Sequence, residues 1–395
     1  MRYAPRYVSY AVEIISKYEG DQPFALFLKS YFAANKKFGS KDRKYIAQLC
    51  YNYYRLGAAA KLLQHEEAIK ISLFLCNDAV GEWTELFGAD WLLKWTNQLG
   101  DRIHFIQEIF PAFNAVNIFP FHHQLSKSVD QQRFAIAHLI QPDLFIRIRP
   151  GKEKKVIDAL TNAAILFQQI TDTAIALPNG TKLENILNID EDIVVQDYSS
   201  QRVGELLKTV DRRRLTVEGI LTLWDCCAAS GGKSILSKDI LGAIDVTVSD
   251  IRASILHNLE QRFKRAGITH YNKFIADLSS TVYSAPSTYD LVLCDAPCTG
   301  SGTWGRTPEQ LCFFEEKQIY SFQQLQQKIV RNIIPTVKNG GWLLYITCSV
   351  FEAENEAMVA FIQSNSNLSL IEQQLIKGYA EKADTMFVAL FQLLA

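Results

Sequence analysis

Paired cysteines at metal-ligand spacing are missing from this chain. Its eight cysteines include no Cys-x-x-Cys pair and follow no regular spacing. Neither a disulfide framework nor a zinc site is indicated, and no metal is expected. Reduced thiols point to a cytoplasmic setting. Long apolar stretches are also lacking: no run reaches the roughly 18 residues of a membrane span, so no membrane partner is expected. The start, Met1-Arg2-Tyr3-Ala4-Pro5-Arg6, has no signal-peptide apolar core. The dinucleotide pattern G-x-G-x-x-G does not occur, nor does a clean internal repeat. Net charge is nearly absent at −1, which neither supports nor excludes a nucleic-acid partner. Its distribution is more informative, because residues 1–65 hold eleven Lys or Arg against four acids.

What remains is a chain built to fold. With 395 residues, 48% of them hydrophobic and 21% charged, it has material for two or three domains with real cores. Residues 1–130 read as helical, with apolar positions recurring at three and four, as in Val8, Ala11, Val12 and Ile15, then Ile46, Leu49, Cys50 and Tyr53. A Lys-rich segment, Asn35–Lys44, is expected to separate two of these helices. Residues 131–205 differ. Leu144–Ile148 alternates and is β-rich, Pro150-Gly151 signals a turn, Lys154–Ala164 is a helix candidate and Ala174–Leu177 a short strand. A small α+β, RRM-like subdomain is expected there.

From residue 206 to 395 the pattern becomes strand, loop and helix, repeated. Strands are expected at Leu221–Trp224, Val246–Ser249, Phe274–Ala276, Leu291–Cys294, Trp342–Thr347 and Met386–Leu390. Helices are expected at Lys233–Ile240, Ala253–Ala266, Ser321–Val337 (ended by Gly340-Gly341) and Glu354–Gln363. The fold class is therefore α/β: a mostly parallel sheet with helices on both faces, binding its ligand beyond the carboxyl ends of the strands.

Each chemical motif falls at such an end. Asp225-Cys226-Cys227-Ala228-Ala229-Ser230-Gly231-Gly232-Lys233-Ser234 follows a strand and opens a helix. Small residues admit a ligand close to the backbone, and the helix start offers free N–H groups to an anion. Gly232-Lys233-Ser234 resembles the end of a phosphate-binding loop, but that motif needs Gly where Cys227 stands. A glycine turn and a lysine remain, and they suit a carboxylate-bearing cofactor such as S-adenosylmethionine. Asp250 and Asp277 end the next two strands, placed to accept hydrogen bonds from ribose hydroxyls and an adenine amino group. Strand-end aspartates also cap helices, yet acids at successive strand ends after a glycine loop favour a nucleoside ligand.

Two cysteines stand apart from the rest. Cys298, in Asp295-Ala296-Pro297-Cys298, and Cys348, in Thr347-Cys348-Ser349, each lie on a strand-exit loop facing the proposed cofactor. Cys50, Cys76, Cys226, Cys227, Cys294 and Cys312 read as small buried hydrophobes. Cytosine C5 is a poor nucleophile. Addition of a thiolate to C6 makes C5 enamine-like and able to take a methyl group from a sulfonium. Asp295 is then placed to hydrogen-bond the base near N3.

These motifs resemble those of the RNA cytosine-5 methyltransferases of the NOL1/NOP2/Sun, or RsmB-like, type. The matching residues are Asp225–Ser234, Asp250, Asp277, Asp295–Gly302, and Thr347–Ser349 followed by Glu352, Glu354 and Asn355. Val195–Gln201 looks like the entry to the family's catalytic domain, and Arg147-Ile148-Arg149-Pro150 like its upstream Arg-Val-Asn-Pro segment. The likeness covers roughly residues 140–395 and implies a Rossmann-like class I methyltransferase domain. It implies Cys348 as the attacking thiol and Cys298 as the thiol that assists release. It also implies Lys233 and Asp295 at the reacting base, with Cys226 to Lys233, Asp250, Asp277 and Asp295 around S-adenosyl-L-methionine. Three positions depart from the family. Ser230 replaces Pro, Arg149 replaces Asn, and Ala383-Asp384-Thr385-Met386-Phe387 lacks the usual Gly-Phe-Phe. The Ser230 change bears on loop rigidity.

Gly39–Lys44 leading into Ile46–Arg55 resembles the NusB-like helical domain of some bacterial members, and its bases and aromatics suit RNA. The expected partner is RNA, ribosomal before transfer, bound by a monomer. A methyltransferase fold that has lost activity and serves as an RNA-binding assembly factor is the alternative, but binding alone needs neither Cys298 nor Cys348. Amino-group methylation would call for Asn-Pro-Pro-Tyr, where this chain has Asp295-Ala296-Pro297-Cys298.

Overall fold

The computed structural model describes residues 3–210, 220–280 and 287–394; within the 1–130 and 206–395 regions, residues 1–2, 211–219, 281–286 and 395 lie outside it. The chain forms two compact units. One comprises Met1–His123, Asp130–Gln141 and Thr303–Glu315, and the other Gln124–Val129, Pro142–Gly302 and Glu316–Ala395.

The first unit is helical, with longer helices at Ala4–Lys17, Phe24–Ala34, Ser40–Arg55, His65–Cys76 and Leu99–Ile109. The expected Lys-rich separator is shorter than the sequence pattern implies. The third helix begins at Ser40, because the Asp42 carboxylate accepts the Gly39 N–H at 2.8 Å and caps its first turn. Lys41, Arg43 and Lys44 are thus helical. Thr303–Glu315 belongs to this unit through its aromatics: Trp304 packs on Phe119 and Phe314, and Phe313 on Tyr18.

The second unit holds two sheets. β1 (Leu144–Ile148), β2 (Gln168–Gln169), β3 (Ala174–Leu177) and β4 (Ile193–Val195) form an antiparallel sheet in the order β2-β3-β1-β4. The helix Glu153–Asn162 buries Val156 and Leu160 against Ile146, Ile148 and Ile175.

The larger sheet carries β5 (Leu221–Asp225), β6 (Ile244–Asp250), β7 (Asn272–Ile275), β8 (Tyr289–Asp295), β9 (Val337–Thr347), β10 (Leu368–Ile376) and β11 (Met386–Leu393). Their order is β10-β11-β9-β8-β5-β6-β7. The five strands β9 to β7 run parallel, and β11 and β10 add antiparallel at one edge. β8 and the end of β9 are almost wholly buried, as strands covered on both faces must be. Alternation sends Leu223, Val246, Leu291, Leu293 and Leu344 into one core, and Trp224, Val292, Leu343 and Tyr345 into the other. This is the Rossmann-like arrangement. From β5 the chain winds to β6 and β7 on one side and returns to β8 on the other, so the crevice lies outside β5 and β8.

One expected boundary is corrected. The long helix spans Lys317–Ile333 and gives way at Pro335 to a short 3-10 turn, since proline has no N–H to continue the helical hydrogen bonding. Gly340 and Gly341 do not end it. They lie inside β9, where the pairing with β8 slips between Tyr289 and Leu291 and Gly340 takes a φ of 77°. Among the described residues no helix is long and apolar enough to cross a membrane.

Candidate active site

The loop after β5 is shaped by two backbone positions. Ala229 has a φ of 45° and Gly231 a φ of 81°, and a Cβ on Gly231 would lie 2.7 Å from the Phe263 ring. Only glycine fits there. The turn is held by Ala228 N–H to Ser249 O (2.9 Å) and Gly231 N–H to Ala228 O (2.8 Å), and Gly232 then opens the helix Gly232–Leu241. Ser230, the departure from Pro, gains its own anchor. Its Oγ accepts from Arg262 at 2.9 Å, and Arg262 is fixed by Asp190 at 2.8 Å. Arg149, the second departure, pairs with Asp239 at 2.7 Å and donates to Ala266 O.

A cavity of about 570 Å³ opens at the carboxyl ends of the parallel strands. Cys226, Cys227, Ala229, Asp250, Asp277, Asp295, Cys298 and Cys348 line it, with Ile251, Leu278, Ala296, Leu325 and Ile329 as apolar walls. The size suits a nucleoside-bearing ligand. Ala228, Ser230, Gly231, Gly232 and Lys233 are not in the lining and shape it from behind. Asp250 is almost buried. Its Oδ2 accepts the Ala229 N–H at 3.1 Å and its Oδ1 the Arg252 N–H at 2.9 Å, so it fastens the loop to the end of β6. Asp277 lies two residues beyond β7 and is exposed. Its Oδ1 accepts from Ser279 N–H and Oγ–H, a local turn of the capping kind weighed from the sequence.

At the inner end, Lys233 Nζ meets Asp295 Oδ2 at 2.5 Å. Burial alone would push the lysine down, but the Asp295 carboxylate outweighs it and holds Lys233 above its ordinary value. The Asp295 carboxylate is thereby oriented by a fixed cation.

The two thiols meet. Cys298 Sγ and Cys348 Sγ are 3.3 Å apart. The hydrogen bond to Cys348, then burial, pushes the Cys298 thiol well up, so Cys298 keeps its proton at neutral pH. A residue that sequence spacing does not single out as their organiser is Glu354, wholly buried between the two thiol loops. Its carboxylate accepts from Thr299 N–H (2.9 Å), Thr299 Oγ–H (2.6 Å), Gln326 (2.9 Å) and Ser349 Oγ–H. Thr299 follows Cys298 and Ser349 follows Cys348, so one carboxylate ties both loops. Burial raises the Glu354 carboxyl, and these donors oppose the rise. Asn355 completes the frame, accepting from Thr347 Oγ at 2.6 Å and donating to Ser349 O at 3.0 Å.

Residues 214–391 match the family model described as 16S rRNA methyltransferase RsmB/F. The chain is 31% identical over 238 residues to a probable ribosomal RNA small subunit methyltransferase B of Synechocystis sp., covering 57% of this chain and 51% of that protein. It spans about half the length of the curated relatives it matches. In three dimensions it resembles PH0851, with a TM-score of 0.68 at 18% identity over 98% of each chain. It also resembles NSun6 from Pyrococcus horikoshii, solved with SFG, with a TM-score of 0.55 at 16% identity over 68% of this chain and 96% of that one. At such identities the structural likeness is one of fold.

Proposed function

We propose, from the match of residues 214–391 to the family model described as 16S rRNA methyltransferase RsmB/F, that this chain methylates carbon 5 of a cytosine in RNA. The observation that carries the reading is the pair of thiols 3.3 Å apart in the cavity that also holds Asp250, Asp277 and Asp295. The relatives' names favour small-subunit ribosomal RNA over transfer RNA.

S-adenosylmethionine would supply the electrophilic methyl group when bound, and Ala229, Asp250 and Asp277, which line the cavity, are the residues that would hold it. Cys348 adds its sulfur to C6 of the cytosine, and the displaced π electrons make C5 nucleophilic. Asp295, oriented by Lys233, hydrogen-bonds the base near N3 and stabilises the charge that develops there. With the methyl moved from the sulfonium to C5 and a neutral thioether left behind, a base would take the C5 proton, and the electron pair released would re-form the C5–C6 double bond and expel the Cys348 sulfur as a thiolate. Cys298, which holds its proton beside Cys348, assists that release. Only the thiol pair distinguishes this reading from RNA binding alone.

The test pairs bisulfite sequencing of cellular RNA, with and without the protein, with two variants. Cys348→Ala is expected to leave neither methylation nor a covalent RNA adduct. Cys298→Ala is expected to attack and methylate but release slowly, accumulating an adduct that survives denaturing electrophoresis. An adduct that accumulates in Cys348→Ala and vanishes in Cys298→Ala would reverse the two roles. Unchanged turnover in both would remove the covalent mechanism.

A further inference from the structure

Three of the six remaining cysteines are neighbours in space. The sulfurs of Cys226, Cys227 and Cys294 all lie within 4.8 Å of one another. The sequence hides this cluster because 66 residues lie between Cys227 and Cys294 in the chain. The fold assembles it at the point where the winding reverses. β5 and β8 are parallel neighbours, and the Cys226 N–H donates to Leu293 O at 3.0 Å, which brings Cys226 level with Cys294. Cys226 and Cys294 are buried, whereas Cys227 is partly exposed and lines the cavity. One edge of the cluster is therefore open to entry.

Three thiols in a triangle are an unusual donor set for a core. Thiolates are soft ligands that favour d10 cations such as Zn²⁺ and Cu⁺. A zinc–sulfur bond of about 2.3 Å in tetrahedral geometry places sulfurs about 3.8 Å apart. The observed triangle thus needs to contract by no more than about 1 Å. Cavity access past Cys227 leaves a fourth position for water. Binding would release the thiol protons as the ligands become thiolates.

We propose that Cys226, Cys227 and Cys294 form a binding site for one soft d10 cation at the floor of the cavity. The site does not depend on the methylation reading, and its occupancy is measured without turnover.

The Cys298–Cys348 pair is the competing thiol site and is removed first. The full-length Cys298→Ser/Cys348→Ser protein, reduced and stripped with chelator, is titrated with Cd²⁺. One bound Cd²⁺ per chain is expected, with the ultraviolet charge-transfer band of cadmium thiolates. Adding Cys294→Ala to that background should abolish the band. Cys227→Ser, at the partly exposed corner, should do the same while circular dichroism stays unchanged, so that a folding defect in Cys294→Ala leaves the question answerable. Absence of the band in the double variant would overturn the proposal. So would a band that survives both Cys294→Ala and Cys227→Ser.

Discussion

Asp225 closes β5 with its carboxyl almost completely shielded from water. Oδ2 accepts the Ser234 hydroxyl at 2.6 Å, while Oδ1 has no partner among the described residues. Burial raises its pKa to about 7, and the Ser234 hydrogen bond only partly opposes that rise. The unfolded chain would hold the same group near its usual value of about 3.9. Between about pH 4 and 7 the native state therefore keeps a proton that the unfolded state has released. The stability tied to this proton is fully present below the unfolded value and is lost as pH rises through the folded one. Integrated over that window it amounts to roughly 3–4 kcal/mol. Asp225→Asn carries no such proton. Urea unfolding of both proteins across pH 4 to 8 should show the variant gaining on the parent by about that amount as pH rises, with no further change above pH 8. Parallel curves would mean that the carboxyl titrates in the native protein as it does in the unfolded chain.

Among the elements, the exits of β8 and β9 determine whether two thiols meet. Their separation rests on backbone contacts as much as on the Glu354 clasp. Gly302 N–H donates to Cys348 O at 2.9 Å, and Thr385 N–H donates to Gly302 O at 2.8 Å. Gly302 thus stitches the Cys298 loop to the Cys348 exit and to the start of β11. A Cβ at this position would lie 1.9 Å from Thr385 O and 3.0 Å from Cys348 O. Backbone oxygens cannot rotate away as a side chain would, so Gly302→Ala must push the strands apart. Overpacking costs about 1–3 kcal/mol and each lost hydrogen bond about 1 kcal/mol. The variant should unfold earlier in urea by about 2–4 kcal/mol and should form the covalent RNA adduct more slowly than the parent. A parental unfolding midpoint would show that the loop yields without cost. The resemblance to a known family put Gly302 in the motif, but only the fold reveals what fills the space where its side chain would be.

On the scale of the whole molecule, legibility followed period and punctuation. The buried parallel strands were readable because continuous apolar runs such as Leu291–Cys294 stop at Asp or Cys, where a loop must begin. β10 (Leu368–Ile376) was not, because an edge strand with Glu372, Gln373 and Gln374 exposed or half-exposed has no core-like pattern. β4, three residues long, is too short to show a period. Gly340-Gly341 misled because a glycine pair marks a helix end and a strand bulge equally well. At the site, Cys298, Cys348, Asp295 and the glycine loop were visible from local motifs. Glu354 as a clasp and the Cys226–Cys227–Cys294 triangle were not, since both depend on which strands lie side by side. The N-terminal charge surplus leads to the last test. Lys36, Lys37, Lys41, Arg43 and Lys44 are all exposed. Several are already engaged within their own unit: Lys37 lies over the Tyr10 ring, Lys41 sits 3.7 Å from Glu82, and Arg43 donates to Phe38 O at 3.0 Å. Exposed ion pairs and ring contacts of this kind are weak, about 1 kcal/mol or less, and leave these cations able to exchange a partner for a phosphate. If the surplus serves RNA, each neutralised contact should lower affinity at low salt. It should also reduce the slope of log affinity against log salt by about 0.7 for single-stranded RNA. Replacing Lys36 and Lys44 with Gln should therefore reduce the slope by about 1.4, and adding Lys41→Gln, whose charge is shared with Glu82, should reduce it further by less than a full contact. Filter binding of an RNA oligonucleotide between 50 and about 300 mM salt measures this directly. An unaltered slope in the triple variant would assign the basic surface to solvation alone and move the search for the RNA-binding face to the unit that carries Cys298 and Cys348.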